Sequence, residues 1–267
     1  MTPPEPFYRE AGTGPGVVCL HANASSSAQW RSLMDQLAAS HHVLAPDLYG
    51  AGQSPDWPSD QEITLAEEAA LIEPVLQRAG TPLTLVAHSH GAALALRIAV
   101  QSPDRVRALA LYEPTLFSLI EADGPTPNEA DGIRNAVNAA AHALDSGDAQ
   151  AAAELFIDYW TGLGSWAATP EARRPALIAS VRKVRRWAHA LFTEPTPLAS
   201  LAALPMPVLL MSGARSTASA HGVARRLAGA LSKVTCVEFP ELGHMGPMTH
   251  PQFVNAQIGH FLSALPA

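Results

Sequence analysis

Leu83-Thr84-Leu85-Val86-Ala87-His88-Ser89-His90-Gly91-Ala92-Ala93-Leu94-Ala95-Leu96-Arg97-Ile98-Ala99-Val100 decides how the rest of this chain is read. Residues 83–87 have the composition of a short buried strand, and residues 91–100 are an Ala/Leu helix. Three residues between them, His88, Ser89 and His90, must turn one into the other. A turn that sharp exposes the hydroxyl of a serine at its apex and demands small neighbours, because the backbones pack closely there. Ala87-x-Ser89-x-Gly91 departs from the usual Gly-x-Ser-x-Gly pattern only at Ala87. The plainer reading of Ser89 is a helix N-cap. A strand before it and a helix after it together favour an exposed, reactive hydroxyl.

Upstream, residues 17–21 (Val-Val-Cys-Leu-His) read as a strand ending in His21, followed by Ala22, Asn23 and a loop. Such a loop can offer a backbone N–H to a developing oxyanion, paired with the N–H of His90 just after Ser89. By position Asn23 is the loop donor. His21 reads as a brace for the loop rather than a catalyst, and Ser25, Ser26 and Ser27 as loop polarity and a helix cap. Downstream, a strand at 234–239 runs into Pro240-Glu241-Leu242-Gly243-His244-Met245-Gly246. Among eleven histidines, His244 alone lies on a glycine-flanked loop after the last strand pattern, where it could reach Ser89 as a general base.

Strand patterns at 17–21, 42–46, 83–87, 106–112, 208–211 and 234–239 alternate with helical ones at 28–39, 65–79, 91–100, 220–231 and 251–262. That alternation implies an α/β fold with a parallel sheet covered on both faces. It stops at residues 115–203, which hold helical patterns and no convincing strand. Leu177, Val181, Val184, Ala188 and Leu191 form an apolar stripe assigned to one helix. Residues 1–114 and 204–267 are therefore expected to form the core, with 115–203 inserted as a helical cap.

Composition narrows the class. The chain has 267 residues, 48% hydrophobic and 15% charged, enough for one large domain with an insertion. A net charge of −7 argues against nucleic acid as a partner. Cys19 and Cys236 lie in apolar strand patterns and read as buried free thiols. The start, MTPPEPFYREAG, lacks the pattern of a secretory signal, and no apolar run reaches the roughly 18 residues of a membrane span. A cytoplasmic protein without membrane association is expected. Its histidines show no metal-ligand spacing, so neither metal nor organic cofactor is expected.

The Ser89 turn, the His21-small loop, Asp47-x-x-Gly-x-Gly-x-Ser54 and Gly243-His244 together resemble the α/β-hydrolase superfamily over nearly the whole chain. The resemblance implies an eight-stranded, mostly parallel sheet, with a helical lid over a site at the strands' carboxyl ends. It also implies a third catalytic residue, a carboxylate that orients His244. Most relatives place it in a Gly-x-x-Asp turn after the next-to-last strand. Here that turn reads Gly213-Ala214-Arg215-Ser216, and no Asp or Glu occurs between Glu194 and Glu238. Some members carry the acid after the strand that follows the Ser-bearing turn and its helix. That position is Glu113, the preferred candidate; its plainer reading is an exposed glutamate paired with a cap arginine. Asp47 is the weaker rival, in a turn that usually has a structural role. Glu238 would alternate along a strand, and Glu241 would face solvent.

The expected activity is a serine hydrolase of the carboxylic-ester type, Ser89, His244 and Glu113 being catalytic, with thioester or lactone close behind. Its expected partner is a small-molecule acyl substrate. A C–C bond hydrolase, a cofactor-free perhydrolase and a non-catalytic ligand-binding member remain alternatives, as do monomer and homodimer. A haloalkane dehalogenase is disfavoured, because position 89 would then need Asp. His21, Ala22, Trp160, Trp187 and Met245 are candidate pocket residues. Trp166, Phe156 and Tyr159 could also line it, though aromatic residues at helix spacing are more often core. Arg173, Arg174, Arg182, Lys183, Arg185 and Arg186 could steer an anionic substrate; a solvated helix face is the plainer reading.

Overall fold

The quoted stretch forms strand β4 (Leu83–His88) and helix α3 (His90–Gln101), with Ser89 as the only residue between them. This computed structural model describes residues 4–59, 61–122, 124 and 127–266. The expected core and cap include residues 1–3, 60, 123, 125, 126 and 267, which lie outside the described residues, as does the start of the N-terminal stretch.

Before β4 come β1 (Tyr8–Ala11), β2 (Gly16–Leu20), α1 (Arg31–Leu37), β3 (His42–Pro46) and α2 (Leu65–Ala79). After α3 comes β5 (Val106–Tyr112). Among the described residues, seven α-helices then separate β5 from β6 (Val208–Gly213): α4 (Ser118–Glu121), α5 (Asp131–Asp145), α6 (Ala149–Thr161), α7 (Ser165–Ala168), α8 (Arg174–Val181), α9 (Val184–Phe192) and α10 (Leu198–Ala202). The chain closes with α11 (Ala218–Ala230), β7 (Val234–Phe239), α12 (Gly246–Thr249) and α13 (Pro251–Ser263).

The strands make one sheet in the order β1-β3-β2-β4-β5-β6-β7. Only β1 is antiparallel to its neighbour. The mostly parallel sheet is as expected, but it has seven strands among the described residues rather than eight. β1 was not read from the sequence, and the residues before it contain Pro4 and Pro6, which cannot donate to a ladder.

Alternation along the strands separates two apolar layers. Leu83, Leu85 and Ala87 of β4 face α2 and α3, where they meet Leu76 and Leu94. Val86 faces the opposite layer with Leu33 and Met34 of α1 and Ile258 of α13. Truncating Leu85 or Leu94 to alanine is expected to cost about 2–5 kcal/mol. No helix among the described residues is long and apolar enough to cross a membrane.

Two local expectations are corrected. The apolar stripe belongs to two helices, because the chain turns at Arg182–Lys183, where the Lys183 ammonium reaches back to the Gly50 carbonyl (2.8 Å) and Asp56. Both cysteines are free and Cys19 is buried, but Cys236 is exposed, because β7 is the sheet's last strand and leaves one face open. Burial pushes the Cys19 thiol far up, so it is an inert apolar filler.

Candidate active site

Ser89 sits between β4 and α3 at φ 56°, ψ −118°. Among the described residues, the non-glycine positions with positive φ are Ala24, Ser89 and Glu113. Each lies at the carboxyl end of a parallel strand, β2, β4 or β5, so the strained backbone gathers where the site forms. Gly91 shows why the turn tolerates no side chain there. A Cβ would lie 2.5 Å from the Leu20 carbonyl oxygen and 2.6 Å from that of His21.

Three side chains from three distant segments meet at this edge. The Ser89 hydroxyl donates to His244 Nε2 at 2.9 Å, and His244 Nδ1–H donates to Glu113 Oε2 at 2.7 Å. All three are buried: Ser89 is 5% exposed, His244 3% and Glu113 0%. With its Nδ1 proton facing a carboxylate, the neutral imidazole keeps a lone pair on Nε2, aimed at the Ser89 proton.

Glu113 is held by more than His244. Its Oε1 accepts the backbone N–H of Gly213 at 2.7 Å, and its Oε2 accepts the Ser216 hydroxyl at 2.6 Å. A buried carboxylate needs such donors to stay ionised. Ser216, read from sequence only as a missing acid, therefore supports the acid that replaces it. The rivals are engaged elsewhere. Asp47 accepts from the Ser27 and Gln53 backbones at 2.6 and 2.9 Å. Glu241 is an exposed partner of Arg215, and Glu238 is exposed on β7.

The loop carrying His244 is pinned at two successive carbonyls. Tyr112 Oη donates to Gly243 at 2.8 Å, and His88 Nε2–H donates to His244 at 2.8 Å. Trp160 stacks on the His244 ring with centroids 4.0 Å apart. A second chain of bonds ties this loop to the one after β2. The Ala22 N–H donates to Gln29 Oε1 (3.2 Å), and Gln29 Nε2 donates to His88 Nδ1 (3.1 Å). Donor and acceptor must alternate, so His88 is neutral with its proton on Nε2. Burial, aided by nearby His244, holds its pKa well below the ordinary value. Sequence reading missed Gln29, His88 and Tyr112; His88 adjoins Ser89, but nothing local says where its ring points.

Asn23 and His90 stand at the expected places, and neither backbone N–H has a protein acceptor among the described residues. The His90 ring points away into the protein, with Nε2 3.8 Å from Glu68 Oε1, so only its N–H is offered to the site.

A cavity of about 310 Å³ opens over Ser89. Its walls come from the loop after β2, from the His244 loop and from α5, α6, α8 and α9. Ala22, Trp160, Trp187 and Met245 line it as expected, with Phe156. His21 does not. Its Nδ1–H donates to the Ala22 carbonyl (2.7 Å) and its Nε2 accepts the Leu48 N–H (3.1 Å), so it braces the loop from behind. Burial keeps it neutral, against the opposing pull of that carbonyl. Trp166 is buried away from the cavity, and Tyr159 faces a neighbouring groove.

A family model described as alpha/beta hydrolase fold matches residues 15–251. The chain belongs to the α/β-hydrolase family. It is 28% identical to a pimeloyl-[acyl-carrier protein] methyl ester esterase of Chromobacterium violaceum, over 95% of this chain and 97% of that protein. It is 37% identical to a haloalkane dehalogenase of Agrobacterium fabrum, over 43% of this chain but only 37% of that protein's length. An alpha/beta hydrolase from a Medee basin deep-sea metagenome library superposes with a TM-score of 0.80 at 17% identity, over 98% of this chain and 95% of that one. Membership of a hydrolase family agrees with a serine, a histidine and a carboxylate in line beneath a cavity.

Proposed function

We propose that this α/β-hydrolase cleaves a carboxylic ester through an acyl-enzyme on Ser89. The observation that carries the reading is the unbroken chain Ser89–His244–Glu113, at 2.9 and 2.7 Å, on the floor of a mostly apolar cavity. His244 Nε2 takes the Ser89 proton as Oγ attacks the acyl carbon. The backbone N–H groups of Asn23 and His90 hold the resulting oxyanion. Collapse expels the alcohol, which leaves with the proton carried by His244. Water, deprotonated by the same ring, then attacks the acyl-enzyme and releases the acid and Ser89. Glu113 orients the ring and balances its transient charge. Helices α4–α10 serve as the cap that shapes the acyl pocket.

The esterase named among the relatives supports this reading. Dehalogenation is disfavoured by Ser89 itself. Attack on an alkyl halide would leave an alkyl ether on the serine, which water at this site could not hydrolyse. A carboxylate nucleophile would leave an ester, which it could. Two free thiols suit a cytoplasmic, reducing setting.

The test is peptide mass spectrometry after exposure to a fluorophosphonate probe, with Ser89→Ala as control. Stoichiometric labelling at Ser89 in the wild type alone is expected. A folded protein that stays unlabelled, yet binds small acyl ligands, would overturn the reading in favour of a non-catalytic binder.

A further inference from the structure

The cavity over Ser89 is apolar along most of its length, with Phe117, Ile133, Val137, Leu177 and Leu191 among its walls. Among the described residues, Arg173 is the only Asp, Glu, Lys or Arg side chain that lines it. Six bases in the inserted segment stand out in the sequence, and the structure divides them. Lys183 pairs with Asp56, and Arg185 with Asp145. Arg174 donates to the carbonyls of Thr169 (3.0 Å) and Ala167 (3.1 Å) and lies over the Trp166 ring. Arg173, Arg182 and Arg186 have no carboxylate partner among the described residues, and of these only Arg173 faces the Ser89 cavity.

Its surroundings leave the guanidinium uncommitted. Thr161, Ser165 and Thr169 line the same stretch of wall, but their hydroxyls donate to the carbonyls of Ile157, Thr161 and Ser165 one turn back. Glu171, two residues away, makes no ion pair with it. Arg173 is solvent-exposed, which places it at the mouth, while Ser89 is buried at the floor. On a chain of net charge −7, an unpaired arginine at a pocket mouth is a local attraction for an anion against a repulsive background.

We propose that Arg173 recognises an anionic terminus on the substrate's acyl chain, so that the preferred substrate is an ester of a dicarboxylic acid whose far carboxylate is free. The claim rests on the ester-hydrolase reading and adds the substrate class to it. The apolar walls take the chain between the two ends. The guanidinium fork takes the carboxylate, in a pairing stronger than a neutral hydrogen bond yet weakened by solvent at the mouth.

The test compares kcat/KM for mono-p-nitrophenyl esters of aliphatic dicarboxylic acids with the same esters methyl-capped at the far end. It uses the full-length wild type and Arg173→Ala, Arg173→Lys and Arg173→Glu. The wild type should favour the free carboxylate, and that ratio should fall about tenfold in Arg173→Ala. Arg173→Lys should retain part of it, and Arg173→Glu should prefer the capped ester. The capped ester measured on each protein is the reference for its own ratio, so a general loss of activity cancels. An unchanged ratio in Arg173→Ala, or a wild type that prefers the capped ester, overturns the proposal.

Calorimetry on Ser89→Ala, with and without Arg173→Ala, using the monomethyl and dimethyl esters of the same dicarboxylic acid, separates this idea from the reading beneath it. Arg173-dependent preference for the monomethyl ester, together with a wild type that the probe never labels at Ser89, keeps the anion site and removes the esterase. Ester turnover indifferent to Arg173 does the reverse.

Discussion

Glu113→Gln is the most informative single change, because the donors around this carboxylate dictate how an amide must sit. Oε1 faces the Gly213 N–H, which is fixed in the backbone, and Oε2 faces both the Ser216 hydroxyl and His244 Nδ1–H. A glutamine has one acceptor oxygen to offer. The Gly213 N–H cannot turn away, whereas the Ser216 hydroxyl can rotate and accept. The amide oxygen therefore settles on Gly213 and the NH2 group turns toward Ser216 and His244. An NH2 group facing Nδ1 forces that nitrogen to accept, which moves the ring proton to Nε2. His244 then offers Ser89 a proton instead of a lone pair. This wrong-tautomer state lowers kcat by about 10⁴ in Ser–His–carboxylate sites. Loss of the charge costs about 1–3 kcal/mol of stability, a fall of a few degrees in Tm. Steady-state kcat on a p-nitrophenyl ester, with circular dichroism to confirm folding, reads the outcome. A folded Glu113→Gln protein that keeps more than a tenth of wild-type kcat refutes Glu113 as the orienting acid.

Other perturbations probe the supports around the triad. Ser216→Ala removes one donor to Glu113 and should lower kcat about three- to tenfold without changing KM; an unchanged kcat would make that hydroxyl ornamental. His88→Phe deprives the His244 carbonyl of its donor, so kcat should fall about tenfold and Tm by several degrees, with KM held. Loss of stability with full kcat would give His88 a purely structural role. Burial holds the native pKa values of His21 and His88 below the ordinary 6.5. The unfolded chain takes up protons below about pH 6.5 and the native rings do not. Their contribution is therefore complete above pH 6.5 and is lost as pH falls toward the native values, by up to about 1.4 kcal/mol per pH unit each. Urea midpoints should drop between pH 7 and pH 5, with a shallower slope in His88→Phe; parallel slopes would refute the assignment.

What could be read in advance was whatever a local pattern spells. Strand-turn-helix around Ser89 and a glycine-flanked His244 are contiguous in sequence, and α2 emerged at its expected bounds because Thr64 and Glu67 close a capping box at its start. Glu113 became legible through an absence, the empty stretch from Glu194 to Glu238. Pairings across the fold left no such mark. Gln29 lies 59 residues from His88, and His88 lies 156 from His244. β1 is four residues with no clean alternation, and only its register against β3 defines it. The stripe from Leu177 to Leu191 has a continuous helical period, yet a tertiary contact at Lys183 breaks it in two.

The displaced acid has a geometric account. β5 and β6 are hydrogen-bonded neighbours, with Tyr112 in register with Met211. Placing the carboxylate after β5 instead of β6 moves it one strand, roughly 4.8 Å, closer to β4 and Ser89. A side chain arriving from there must bend back along the sheet edge. Glu113 manages this with a positive φ of 44° and one more methylene than aspartate. Its N–H stays in the ladder, donating to the Met211 carbonyl at 2.9 Å, while its Oε1 accepts from Gly213 two residues further along β6. The same residue is thus bound to β6 through both backbone and side chain. The vacated turn keeps a function as well, because Ser216 is left within 2.6 Å of the carboxylate. Aspartate at 216 would set a half-buried carboxylate that close to the buried one of Glu113, and the two would strongly disfavour each other's ionised forms. Ser216→Asp should therefore abolish turnover while Glu113 is present, and Glu113→Ala in the same chain should restore part of it. If Ser216→Asp alone is fully active, the two positions are not competing for one His244, and the geometry described here is wrong.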